Sequence, residues 1–135
     1  MWRLIIGVFL LLHGLVHLLY AGQSARLFEL ETGLTWPDGS WTFTRLLGAT
    51  TTRALASTVF VLLAVGFVAS GAGLMLRQPW WEPVVVVTAA AAVLFTLLFW
   101  DGRTQMLDGK GAIGLLISLA ILVAVQVAHW PAFEF

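Results

Sequence analysis

Four stretches of this chain carry no charged residue: 4–25, 54–76, 83–100 and 111–133, of 22, 23, 18 and 23 residues. A helix crossing a bilayer core about 30 Å thick needs roughly 20 apolar residues, so each run is long enough or nearly so. A soluble four-helix bundle would need a charged face on every helix, and these runs have none. Composition agrees: 60% of the 135 residues are hydrophobic and 10% charged, against about 45–50% and 25% in soluble domains. The pattern predicts an all-α polytopic membrane protein, a four-transmembrane-helix bundle forming one domain. Its spans are expected near 2–20, 54–76, 83–100 and 112–130, with a long, partly helical first loop at 21–53.

The charge and cysteine counts exclude whole classes of function. Net charge is zero and no basic stripe exists, so nucleic-acid binding has no electrostatic footprint. Without cysteine, the chain cannot supply thiol–disulfide chemistry, iron–sulfur ligands or thiolate zinc ligands. Arg3 before an apolar run imitates a signal peptide. The run exceeds the usual h-region of about 7–15 residues, holds two histidines and lacks a clean cleavage site, which favours a retained helix.

In the first loop, Ser24 is placed to cap a short helix from Ala25 to Glu31. Trp36-Pro37-Asp38-Gly39-Ser40-Trp41 has turn chemistry, with tryptophans suited to the headgroup layer. A second short helix is expected from Trp41 to Leu47, capped by Ser40 and stopped at Gly48. This loop reads as an interfacial segment with aromatic anchors, or as a lid over a membrane cavity. Small residues stand four apart at Gly66/Ser70, Ala69/Gly73 and Gly114/Ser118, the spacing that lets helix backbones approach in lipid. Packing within the chain is favoured over a dimer face. Asp101-Gly102 and Asp108-Gly109 read as turns. Lys and Arg divide five (Arg26, Arg45, Arg53, Arg103, Lys110) against two (Arg3, Arg77). The positive-inside rule then puts loops one and three in the cytoplasm and both termini outside, in a prokaryotic cytoplasmic membrane.

His13 and His17 stand one turn apart in the first span and Tyr20 follows three residues later, so the three share a helical face. An ionisable residue inside a membrane is a functional candidate by default. Span one ends on the side where Trp100-Asp101 emerges, whereas Gln126 and His129 lie at the opposite face. The candidate site is therefore His13, His17, Tyr20 and Asp101, with Phe95 and Phe99 packing a bound ring beside the histidines. Three uses compete. Asp101 would complete a His₂-carboxylate metal set; the histidines would bond a quinone carbonyl or relay protons; or each imidazole would simply bond another helix. Quinone leads among cofactors; haem and metal ions fit less well, since two histidines on one face cannot both be axial haem ligands.

The segments Arg3-Leu-Ile-Ile-Gly7, Phe9-Leu-Leu-Leu-His13-Gly14 and Gly71-Ala-Gly73-Leu-Met-Leu resemble the DoxX-like family of small four-helix membrane proteins, with His17 where that family often has a lysine. The resemblance implies a membrane subunit associated with quinone-linked oxidation. The expected function is thus a small integral membrane subunit of DoxX-like type supporting quinone-linked electron or proton transfer. The alternatives are a non-enzymatic accessory or assembly subunit and an oligomeric proton-coupled transporter. The expected partners are the lipid bilayer and either further copies of the chain or a larger membrane complex.

Overall fold

Trp2–Ser24 forms a single helix, α1, whose apolar side chains fall on every face. In the computed structural model, which describes residues 1–135, α1 is followed by α2 (Phe43–Met75), α3 (Trp81–Phe99), a 3₁₀ turn (Asp108–Lys110) and α4 (Ala112–Leu122). A π-helical segment, Val123–Val127, continues α4. Helices α1, α2 and α3 are long and apolar enough to cross a membrane, while the apolar stretch Ala112–Val127 is shorter. The last helix therefore stops before the expected limit at residue 130; His129, left-handed at φ 51°, lies beyond its end.

The connection after α1 is shorter than expected, because both flanking helices extend into it. No helix forms over Ala25–Glu31. Arg26 instead takes a left-handed conformation (φ 60°) just beyond α1, and Leu27 N–H returns to the Gly22 carbonyl. This is Schellman-type closure with arginine where glycine is usual. The conformation is costly for a side-chain-bearing residue, and the guanidinium offsets it. It donates to the carbonyls of Gln23, Thr35 and Trp36 and to the Asp38 carboxylate. Ser24 donates to the Tyr20 carbonyl rather than capping a following helix. The expected stop at Gly48 appears as a break within α2 (φ 80°, ψ 165°), a backbone region that glycine enters without steric cost. Ser40 Oγ accepts the Phe43 N–H at the start of that helix.

Glycines set the α1–α2 approach. A Cβ on Gly71 would lie 2.6 Å from the Gly7 carbonyl oxygen, and one on Gly14 2.9 Å from that of Ala64. Gly66 faces Thr88 and Gly73 faces Trp80, so these small-residue positions are occupied within the chain. Phe60, Phe67, Phe99, Trp36 and Leu74 form the fully buried centre. The outer faces stay apolar: Leu4, Val8, Leu12 and Leu15 on α1 are each more than 40% exposed. A surface of that kind is foreign to soluble monomers and compatible with lipid contact.

The first loop is clamped onto the end of α3. The last carbonyls of a helix have no partner within it. Here Leu97 accepts from the Trp41 indole, and Leu98 from the Ser40 and Thr42 hydroxyls. Phe99 accepts from the Trp36 indole, and Trp100 from the Trp41 backbone N–H. Trp36 is 1% exposed, so it is a plug in the core rather than a headgroup anchor. Gln23, also fully buried, holds the loop from within through the Leu34 and Trp36 carbonyls and the Leu30 N–H. Residues 1–3, Arg77 and 133–135 gather around one pocket at the opposite end of the molecule.

Candidate functional site

The polar residues of α1 line its seam with α4. His13 Nε2 lies 3.0 Å from Ser118 Oγ. Tyr20 Oη accepts the Gly114 backbone N–H at 3.1 Å. The small residues at 114 and 118, which the sequence suggests as a packing stripe, thus receive the two polar side chains that cross from α1. His17 lies between these bonds, with its Nδ1 3.0 Å from the His13 carbonyl. All three α1 residues are buried, at 3%, 1% and 4% exposure for His13, His17 and Tyr20. Their rings form a continuous column. His13 meets His17 edge-on at 4.8 Å, and His17 meets Tyr20 edge-on at 5.7 Å.

Hydrogen positions follow from the partners. A carbonyl only accepts, so His17 carries its proton on Nδ1 and presents a lone pair at Nε2. Ser24, Thr52, Ser70 and Thr88 all donate to the carbonyl one turn back in their own helix. Ser118 instead has His13 Nε2 as its partner. With Ser118 as donor, the His13 proton sits on Nδ1, which is buried and has no hydrogen-bond partner. The reverse assignment leaves Nδ1 as an unpaired acceptor. Either way one imidazole nitrogen in the interior is unsatisfied, where an unmade hydrogen bond costs about 1–3 kcal/mol.

The structure brings together His13, His17 and Tyr20 but not Asp101. That carboxylate is held by Lys110 Nζ at 2.9 and 3.1 Å and accepts the Arg103 N–H. Lys110 stands nine residues downstream, and its charge outcompetes the neutral ring column. A His₂-carboxylate set is therefore not assembled, and no group of three His, Asp or Glu residues gathers to hold a metal. Phe95 and Phe99 also lie elsewhere. They stack on each other, and Phe99 packs on Phe43 and Phe60. The rings that touch the histidines are Phe9, stacked on His13 at 6.3 Å, and Phe60 and Phe67 from α2. Phe9, Phe60, Phe67 and Ser118 are the neighbours of the histidines that sequence reasoning misses; the i, i−4 spacing of Phe9 to His13 is the signal for the first.

Two pockets flank the seam. One, of about 260 Å³, lies beside Phe9 and Leu10 and includes Trp81, Ile121, Val125 and Trp130, with no ionisable residue in its lining. It falls just below the usual range of small-molecule pockets, roughly 300–1,000 Å³. The other, of about 330 Å³ at the loop end, is bounded by Tyr20, Glu31 and Asp108 with Val16 and Ile113.

The chain matches no family model, no curated protein and no solved structure. Its function therefore has to be argued from the seam itself.

Proposed function

We propose that the chain is a four-span integral membrane subunit of DoxX-like type in a prokaryotic cytoplasmic membrane, loops one and three inside. In this reading its His13–His17 pair binds a lipid-soluble carrier of the quinone class and supports quinone-linked electron or proton transfer. One observation carries the reading: His13 Nδ1 is fully buried, without a partner, one helical turn from an apolar pocket. A quinone offers two carbonyl oxygens that accept hydrogen bonds and, on reduction, become hydroxyls. His13 Nδ1–H would donate to such an oxygen, and the His17 Nε2 lone pair would accept from such a hydroxyl. Phe9 lines the pocket and stacks on His13, so a ring reaching His13 from the pocket would have to displace or stack on it, and Phe9 takes the place expected for Phe95 and Phe99. Apolar walls orient the ring and keep water out, while a pocket this size leaves the isoprenoid tail in lipid.

A second reading has its own support. The His13–Ser118 bond ties α1 to α4 where no salt bridge does, which suits an accessory subunit whose histidines only hold helices together.

Quinone binding separates the two. Trp81 and Trp130 line the pocket, so a short-tailed ubiquinone analogue added to protein in nanodiscs should quench tryptophan fluorescence saturably. His13→Gln and Phe9→Ala should each weaken that binding. Quenching that rises linearly, as partition into lipid does, with no quinone extractable from purified protein, would leave the accessory-subunit reading.

A further inference from the structure

The geometry points to a proton inlet for the histidine pair at the loop end of the α1–α4 seam, built from Glu31, Asp108 and Tyr20. It rests on the proposed function only in taking the histidines as proton-exchanging groups, whatever molecule they serve.

The two ends of the seam differ in kind. The pocket beside Phe9 is lined without a titratable group. The pocket at the other end carries two carboxylates and a phenol within about 330 Å³. A water molecule needs about 30 Å³ of liquid volume and two to four polar partners, so this pocket has both room and partners for several. Glu31 is fixed there by the Gly109 N–H at 3.2 Å. Tyr20 forms the inner wall at 4% exposure. Its oxygen is occupied by the Gly114 N–H, while its own hydrogen has no protein acceptor among the hydrogen bonds of the seam.

Behind Tyr20 stands His17 and then His13. The other elements offer no competing group. Lys110 is held by Asp101 and the Arg103 carbonyl. From α2 the pair meets Phe60 and Phe67, and from α4 Ser118. A proton carried by Glu31 or Asp108 passes through pocket water to the Tyr20 oxygen. The phenol, which meets the His17 ring edge-on, gives up its own hydrogen to His17 Nε2 when its bond to the Gly114 N–H opens and the hydroxyl turns toward that ring. Tyr20 ends neutral and His17 ends as imidazolium, so one proton leaves the aqueous phase for the ring column. Protons thus arrive from one end of the seam and the apolar ligand from the other.

The test needs no quinone. With ¹⁵N-labelled histidine in nanodiscs, the exchange of the ring N–H groups with D₂O is measured for the chain's three histidines. Tyr20→Phe should slow exchange at His13 and His17 by roughly tenfold or more, the scale on which a positioned proton donor acts. Glu31→Gln with Asp108→Asn should slow it severalfold, and His129, outside the column, should not change. Wild-type rates at His13 and His17 in both variants would overturn the inlet. Should Tyr20→Phe fail to fold, the double variant decides alone, since Asp108 is exposed and glutamine at the half-buried position 31 keeps an oxygen for the Gly109 N–H. A wild type that binds no quinone analogue but shows the Tyr20 dependence removes the quinone reading and keeps the inlet. Binding without that dependence does the reverse.

Discussion

His13 Nε2 and Ser118 Oγ lie 3.0 Å apart although 105 residues separate them in the chain. Ser118→Ala would leave both nitrogens of His13 without a partner. Interhelical hydrogen bonds in membranes average about 0.6 kcal/mol with a maximum near 1.7. A buried unpaired group pushes toward the upper figure, so a loss of about 1–2 kcal/mol is expected. Unfolding in a mixed detergent series measures it. In combination with His13→Leu the loss in the double variant should be smaller than the sum of the two single losses, and full additivity would mean the contact is energetically idle.

Gly114→Ala should displace Tyr20. The added Cβ would stand 2.8 Å from the ring and 2.9 Å from its oxygen, closer than carbon atoms tolerate. Overpacking of this kind costs about 1–3 kcal/mol. Tyr20 is the sole tyrosine, so a ¹³Cζ label gives one resonance, which should shift. An unmoved resonance would contradict the seam geometry.

Lys110 and Asp101 form an ion pair with side chains only 5% and 17% exposed. Removing one partner strands a buried charge, whereas replacing both with apolar residues of like volume is often neutral. Lys110→Met alone should therefore cost about 3–5 kcal/mol, and Lys110→Met with Asp101→Leu far less. The double variant should bind the quinone analogue as the wild type does; weakened binding would restore Asp101 to the site.

Trp36→Phe keeps a ring in the core but deletes the indole bond to the Phe99 carbonyl. A hydrogen bond of this kind contributes about 0.5–1.5 kcal/mol. The neighbouring Trp41 N–H, bonded to the Trp100 carbonyl, should then exchange with solvent about two- to tenfold faster, which is that energy expressed as an opening equilibrium. An unchanged rate would show that the loop holds α3 without Trp36.

The absence of cysteine makes single-cysteine labelling free of background. Arg103→Cys should react with a membrane-impermeant maleimide only after cells are broken, and a cysteine at Ala132 in intact cells. The opposite pattern would invert the proposed orientation.

What the sequence makes legible here is whatever a one-dimensional pattern can carry. Charge-free runs locate α1, α2 and α3, and an i, i+4 spacing puts His13 and His17 on one face, where they are. Which face of α3 meets α2 is not written in its sequence, because that helix is apolar nearly all round; Phe95 and Phe99 share a face through their i, i+4 spacing, and the rotation of α3 sets Phe99 against Phe43 and Phe60 rather than against the histidines. Topology brings Asp101 to the end of the bundle where α1 finishes, but the cation nine residues later, Lys110, takes its carboxylate. Arg26 is the sharpest departure. Its helix ends there because a guanidinium gains several carbonyl partners and a carboxylate, a gain that local helix propensity does not register. Gly114 and Ser118 show only their small size in the sequence, and their second role, receiving Tyr20 and His13, exists only once α1 packs beside α4.

The clamp between the first loop and α3 reads only main-chain atoms on the α3 side: the carbonyls of Leu97, Leu98, Phe99 and Trp100. Any residue supplies a carbonyl, so the side chains at 97, 98 and 100 are free to drift without loosening it, and Phe99 is held only by its place in the core. The donors have no such freedom, since two indoles and two hydroxyls must stand at fixed points. Divergence in this molecule should accordingly be lopsided. Positions 36, 40, 41 and 42 would hold their identity long after the helix end they grip has changed its own, leaving a short tryptophan–serine–tryptophan–threonine signature as the part of the loop by which distant kin are recognised.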